Sequence, residues 1–257
     1  MPERATRWLN RVAFGRSGLP AMGFSRALWK WDPNLYESAP AISGVLSALG
    51  KPADNDAVCY EATRSLLFDV VDAASGVETA LQEVTSGVDQ AQAEWDKSAP
   101  DPDQDGGIYS ASTEYAWHSV ENLVTWARTL NDRLRRPARM KGYPDQGFIM
   151  ALAHGPLREA VIAARAKMLS SPFGEARFLA GLNLHMQPMQ PGSQTASVEN
   201  GRVRLRFPDA VNGPIDHRCQ LTYSGGRDAL TWAEAVFVAT EGFMEEMLAA
   251  LANPSEP

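Results

Sequence analysis

A heptad pattern in the first half of the chain constrains its fold more than any other feature. Apolar residues recur at alternating intervals of three and four, the spacing that places them along one side of an α-helix. Sustained for about four heptads, the pattern predicts one long helix over residues 56–96. We call these apolar residues the heptad seam. They are Leu67, Val70, Ala74, Val77, Leu81, Val84, Val88, Ala91 and Trp95.

A second amphipathic helix is predicted over residues 113–136. Pro137 ends it, because proline lacks the backbone N–H that a helix needs. Two apolar stripes joined by a loop predict an antiparallel helical hairpin. An intermolecular coiled coil would leave the same pattern, so the heptad seam also predicts a protein partner or self-association. The apolar stripe of this helix contains Trp117, Val120, Val124, Ala127 and Leu134.

The clearest β signal is a hairpin centred on Asn200-Gly201, a dipeptide that favours a type I′ turn. Apolar and polar residues alternate on both sides of it, as they do in half-buried strands. A further alternating strand over residues 217–223 would extend the hairpin into a three-stranded antiparallel meander spanning 195–223. Pairing outward from the turn predicts the cross-strand partners Glu199 and Arg202, Val198 and Val203, Ser197 and Arg204, and Ala196 and Leu205.

Further helices are predicted over residues 156–170 and 171–187, and a closing helix from the capping box Thr231-Trp-Ala-Glu234. Residues 1–55, rich in glycine, proline and aromatic residues, predict an irregular N-terminal segment. The predicted fold is therefore mainly α. It is a helical bundle with a long heptad-patterned helical hairpin and a small C-terminal β-meander, and residues 56–257 form one helical domain. The apolar face of the closing helix is predicted to contain Phe237, Val238, Met244, Met247, Leu248 and Leu251.

Charge and cysteine content narrow the classes of function. The formal net charge is −7, so the whole chain exerts no general attraction on nucleic acid or an anionic membrane. No apolar run approaches the roughly 18 residues that a membrane-spanning helix needs. Cys59 and Cys219 stand alone, which fits a reducing compartment. We expect a cytoplasmic protein without membrane contact.

An acidic segment, DPDQDGGIYSAS at residues 101–112, resembles the first half of an EF-hand calcium loop. The metal ligands would be Asp101, Asp103 and Asp105. Gly106 stands where that loop turns, but Ser112 stands where it needs a bidentate carboxylate. The segment predicts either a calcium site or a solvated connection whose Asp and Ser residues cap the next helix. Calcium is the only cofactor that the sequence suggests.

Arg177 and His185 lie near the end of a predicted helix, in the stretch ARFLAGLNLH. An Arg followed by a His in a helical protein resembles the HEPN ribonucleases. The resemblance implies metal-independent RNA cleavage, with Arg177 polarising the phosphate and His185 assisting proton transfer. The spacing is wider than in that family, and Phe178 replaces a usually polar residue. The alternative is that Arg177 pairs with an acid and that His185 caps the helix.

Arg202, Arg204 and Arg206 project from one face of a predicted strand. Side chains on one strand face repeat at about 6.6 Å, so three guanidinium groups in a row suit a polyanion such as RNA. The alternative is a solvated surface on which Glu199 faces Arg202.

Packing signals dominate the sequence, so the first functional hypothesis is a non-catalytic helical interaction or scaffold protein, with self-association as one option. A HEPN-like ribonuclease or RNA-associated protein is the alternative, with nucleic acid contacting only the local arginine row. A calcium-dependent binding protein is the second alternative.

Overall fold

The computed structural model describes residues 57–98, 106–135, 148–151, 155–185, 196–209, 222–223 and 226–252. Most of the described residues are helical, so the prediction of a mainly helical protein with a small antiparallel sheet is confirmed. The predicted irregular segment over residues 1–55 lies outside the described residues. The described helices are α1 (Ala57–Lys97), α2 (Ala111–Arg135), α3 (Phe148–Ala151), α4 (Gly155–Leu169), α5 (Pro172–His185) and α6 (Ala229–Ala252). The described strands are β1 (Gly106–Ile108), β2 (Ala196–Glu199) and β3 (Arg202–Leu205).

The first two helices match their predicted bounds to within two residues. Burial follows the apolar pattern on both. On α2 the stripe from Trp117 to Leu134 is at most 1% exposed. On α1, Leu81, Val88 and Trp95 are half-buried. The fully buried seam residues are Val70, Ala74, Val77, Val84 and Ala91.

Helices α1 and α2 contact each other at small residues. A Cβ built on Gly87 would lie 2.7 Å from the Cβ of Ala116, and one on Gly76 would lie 2.2 Å from the ring of Trp126. Glycine at these positions therefore lets the helices approach closely. Near the end of α1, Ser112 Oγ donates a 2.6 Å hydrogen bond to Glu94.

The β2–β3 hairpin has the predicted register at all four pairs. Asn200 and Gly201 both have positive φ, at 52° and 73°, as a type I′ turn requires. The third described strand differs from the predicted one. Strand β1 pairs antiparallel with β2 through Gly106, Gly107 and Ile108. The expected strand over 217–223 falls mostly on residues outside the described part of the chain.

Side chains accept hydrogen bonds from backbone N–H groups along the outer edge of β3. The backbone N–H of Val203 donates to the side chain of Gln92 at 2.8 Å, and Gln92 in turn donates to the carbonyl of Gly201 at 3.1 Å. The N–H of Leu205 donates to Asp228 at 3.1 Å. An unpaired strand edge invites pairing with other chains, and Gln92 and Asp228 occupy donors that such pairing would use.

The closing helix begins earlier than predicted. Asp228 caps α6 by accepting hydrogen bonds from the backbone N–H and the hydroxyl of Thr231. The expected capping box at Thr231 therefore lies inside the helix, because Asp228 provides a cap one turn earlier. Met244 and Met247 are buried as predicted, whereas Val238 is 66% exposed, because the buried side of this part of the helix is formed by Trp232 and Val236.

The described residues belong to two compact units. The first contains α3, most of α4 and parts of α1, α2 and α6. Inside it Arg165 donates two hydrogen bonds to Asn131, and Lys167 forms an ion pair with Glu246. The second unit contains residues 76–128 and 169–239, and with them the three-stranded sheet. One domain over residues 56–257 stays a prediction. Among the described helices, none combines the length and the apolar character needed to cross a membrane.

Candidate functional site

A cleft of about 220 Å³ lies in the second unit, against the polar face of the β2–β3 hairpin. This volume is below the roughly 300–1,000 Å³ typical of sites for drug-sized ligands, so it suits a small chemical group. The hairpin contributes one wall, and the residues that precede α6 contribute the other. The polar side chains of the lining belong to Ser197, Glu199, Arg204, Arg206, Tyr223 and Arg227.

The arginine row of β3 supplies two of the cleft residues. Arg202 and Arg204 are exposed and alternate with the buried Val203 and Leu205, as the strand period of two predicts. Arg204 and the half-buried Arg206 line the cleft. Arg202, which the strand pattern places in the same row, lies outside the lining. The structure therefore brings two of the three predicted arginines together at one site.

Glu199 pairs with a different arginine from the one predicted. In the hairpin register its Cα is opposite that of Arg202. Its carboxylate nevertheless lies 3.2 Å from Nη1 of Arg204, the diagonal neighbour. Oε1 of the same carboxylate accepts a 3.3 Å hydrogen bond from Ser197. Because Ser197 and Arg204 are directly opposite each other, the Glu199 carboxylate lies between their two donor groups.

Arg227, on the other wall, is held in a fixed position. It donates to both carboxylate oxygens of Glu175, at 2.7 and 2.8 Å, and to the carbonyl of Pro208 at 2.8 Å. Its guanidinium carbon lies 4.9 Å from the centre of the Phe207 ring. The hydrogen bonds to Glu175 are the main reason why the pKa of Arg227 is raised above its ordinary value. These bonds are charge-assisted and bidentate, the strongest class of side-chain hydrogen bond.

Three aromatic rings support the Arg227 wall. Phe207 stacks on Trp232 with ring centres 4.3 Å apart, and Trp117 lies on Phe207 at 6.5 Å. The indole N–H of Trp232 donates to Glu175 at 3.1 Å, so it orients the carboxylate that holds Arg227. All three rings are at most 4% exposed. The wall therefore rests on packed residues that restrict its movement.

Tyr223 also lines the cleft. Burial raises the pKa of Tyr223 to about 12, and the negative charge of Glu121 acts in the same direction. The phenol is therefore protonated at neutral pH and can donate a hydrogen bond to a negative ligand.

The sequence predictions missed Arg227 and Tyr223. The alternation over residues 217–223 places Tyr223 on the apolar face of a strand, although a tyrosine next to a basic hairpin is also a hydroxyl donor. Arg227 follows Gly225-Gly226 in a short stretch without periodicity. Its only sequence signal is that it immediately precedes the cap of α6.

The predicted catalytic pair lies on one helix. α5 is continuous from Pro172 to His185, so Arg177 and His185 are separated by about 12 Å along its axis at 1.5 Å per residue. Their side chains lie outside the described residues. The ribonuclease hypothesis therefore stays a prediction.

The predicted calcium ligands Asp101, Asp103 and Asp105 lie outside the described residues, so the calcium hypothesis also stays a prediction. The chain is described again from Gly106 onward. Ser110 caps α2 by accepting a hydrogen bond from the N–H of Thr113, whose hydroxyl accepts one from the N–H of Ser110. Within the described ranges, no three His, Cys, Asp or Glu residues are grouped as metal ligands.

Comparison of the chain with known proteins finds no matching family model, no matching curated protein and no matching solved structure. The functional assignment therefore depends on the geometry of the cleft.

Proposed function

We propose that the chain is a non-catalytic binding module and that the hairpin cleft binds a small anionic group, such as a phosphate, carried by its partner. The convergence of Arg204, Arg206 and Arg227 on one cleft is the observation that carries this proposal. Guanidinium groups suit oxyanions because their planar array of N–H donors matches the spacing of phosphate or carboxylate oxygens.

The hydrogen-bonding capacity of the cleft supports binding rather than proton transfer. Arginine does not lose its proton in proteins. Tyr223, whose pKa is about 12, has little tendency to act as a base at neutral pH. Three of the five N–H donors of Arg227 serve bonds to Glu175 and Pro208, and Glu175 balances its charge, so this residue mainly contributes a fixed wall.

The helices would serve as the support for this site. Contacts between α1 and α2 occur in opposite order along the two helices: Gly87 with Ala116, then Gly76 with Trp126. From this order we infer an antiparallel helical hairpin. Gln92 of α1 binds the β-hairpin directly, so α1 would set the position of the arginine row.

The surface for the partner would be the cleft instead of the heptad seam. The described seam residues are buried or half-buried within a single chain. Self-association through the seam, as the pattern alone suggests, would require these residues to leave their contacts inside the chain. The cleft needs no such rearrangement.

The proposal is tested by titrating the protein with inorganic phosphate at constant ionic strength and following backbone amide shifts by NMR. We expect saturable shifts in β2, β3 and the residues before α6. Arg206→Ala should weaken binding about tenfold or more, because hydrogen bonds to charged groups contribute about 1.5–3 kcal/mol.

Arg202→Ala is the matched control, because it removes the same charge from the same strand face outside the cleft. Its affinity should stay within about twofold of wild type, since exposed charges contribute little. Equal losses in both variants would mean that phosphate responds only to general surface charge. No saturable shift in wild type would also overturn the proposal.

A further inference from the structure

The position of one carboxylate in the cleft suggests a second role. Glu199 could pair with Arg202, its direct cross-strand neighbour. Instead the side chain extends along its own strand, so that one oxygen is 3.2 Å from Arg204 and the other accepts a hydrogen bond from Ser197. A carboxylate held by a guanidinium group and a hydroxyl has the same partners that a bound oxyanion would have.

We infer that Glu199 is an internal competitor, which occupies the anion position of the cleft until an external anion displaces it. This inference rests on the proposed function, since it assumes that the cleft binds an anion. It adds that the empty cleft is closed to anions by its own carboxylate. Glu199 would then lower the apparent affinity of the cleft for any anion that competes with it.

The Glu199–Arg204 pair is suited to displacement. Both side chains are nearly half exposed, at 45% and 48%. Exposed ion pairs of this kind contribute little, because solvent screens them and both long side chains lose freedom. Glu199 can therefore rotate into solvent at little cost. The Arg227–Glu175 pair differs, because its side chains are only 28% and 18% exposed and Glu175 also accepts a hydrogen bond from Trp232.

A weak internal competitor has a defined effect on affinity. The apparent dissociation constant of a ligand rises in inverse proportion to the fraction of the protein in the open state. For an exposed ion pair, removal of the competitor raises the affinity by about two- to fivefold. The same removal leaves the arginines and Tyr223 in place.

The test is Glu199→Gln, titrated with inorganic phosphate under the conditions used for wild type. Glutamine keeps the length and shape of the side chain and removes its charge. We expect phosphate to bind about two- to fivefold more tightly than to wild type. Glu199→Ala, which removes the carboxylate that accepts from Ser197 and pairs with Arg204, should shift the affinity in the same direction and would confirm that the effect does not depend on the amide.

Glu234→Gln is the matched control, because it removes one negative charge from an exposed position on α6 of the same unit. It should leave the affinity unchanged. If Glu199→Gln binds phosphate no more tightly than wild type, while Arg206→Ala still loses binding, the competitor inference is wrong and the proposed function stands. If wild type does not bind phosphate at all, both are overturned, because a competitor with a two- to fivefold effect cannot abolish binding.

Discussion

Tyr223 is the residue of the cleft whose ionisation can be followed directly. Its pKa of about 12 exceeds the value near 10 of an unperturbed tyrosine, mainly because of burial. At a pH between these two pKa values, Tyr223 is ionised in the unfolded chain but still protonated in the folded chain. We therefore expect the unfolding free energy to fall as pH rises from about 10 to 12, and to be unaffected by this residue at lower pH.

The measurement is the ultraviolet absorbance of tyrosinate in wild type minus that in Tyr223→Phe. The difference should isolate one ionisation near pH 12. Tyr109 provides a comparison between two causes of a raised pKa. Its pKa is raised by a hydrogen bond to Glu114 and the residue is exposed, whereas that of Tyr223 is raised mainly by burial. A Tyr223 difference curve centred near the unperturbed value of about 10 would show that the phenol is not buried in the cleft wall.

Gln92 has a role that its residue type alone does not suggest. Its amide accepts from Val203 and donates to Gly201, so it replaces a neighbouring strand at the edge of β3. Gln92→Ala leaves that backbone donor and acceptor without this partner, and we expect a loss of about 1–3 kcal/mol in unfolding free energy. Denaturant unfolding measures it. Gln90→Ala, which loses only an exposed bond to Ser86, should change stability by less than about 0.5 kcal/mol.

At the scale of the element, close approach of α1 and α2 depends on glycine. Alanine is usually the better helix former by about 1 kcal/mol. At Gly87 a Cβ would lie 2.7 Å from Ala116 Cβ and 3.0 Å from Ala116 backbone atoms, so we expect Gly87→Ala to destabilise the protein by about 1–3 kcal/mol. At Gly242 of α6 nothing lies within 4 Å of a built Cβ.

Gly242→Ala should therefore stabilise by up to about 1 kcal/mol, the opposite sign for the same change. Thermal and denaturant melts of the two variants provide the comparison. Stabilisation by Gly87→Ala would show that α1 and α2 do not approach each other as closely as the structure indicates.

The elements differ in how much of them the sequence can predict. The β2–β3 register was predictable because its determinants, the Asn200-Gly201 turn and the alternation beside it, are local. Strand β1 was not, because Gly106-Gly107-Ile108 has no periodicity and pairs with residues about 90 positions away. The cleft was predictable only in part for the same reason. Arg204 and Arg206 share a strand pattern, whereas Arg227 reaches the site through tertiary contacts with Glu175 and Phe207.

At the scale of the molecule, the heptad seam could pack within one chain or join two chains. Val84 is fully buried within one chain. Val84→Lys should therefore destabilise the fold by several kcal/mol, because it places an unpaired charge in the core. Ala93→Lys, at an exposed position on α1, should be nearly neutral. Thermal melts measure the loss, and sedimentation measures the oligomeric state of the folded fraction, which should match that of wild type.

A different outcome of this experiment would indicate that the seam is an interface between chains. If Val84→Lys converts an oligomer into a folded monomer with little loss of stability, the seam joins separate chains. The proposed anion binding at the cleft does not depend on the seam, so this outcome would not contradict it.

The distance along the chain between β1 and β2 also has a consequence for folding. A hairpin closed by a two-residue turn forms in about 1–10 μs, whereas pairing β1 with β2 closes a loop of about 90 residues at a larger cost in chain entropy. We therefore expect the hairpin to form first and β1 to pair with it later. We expect substitutions at the Asn200-Gly201 turn to slow refolding, and substitutions in β1 to speed unfolding instead.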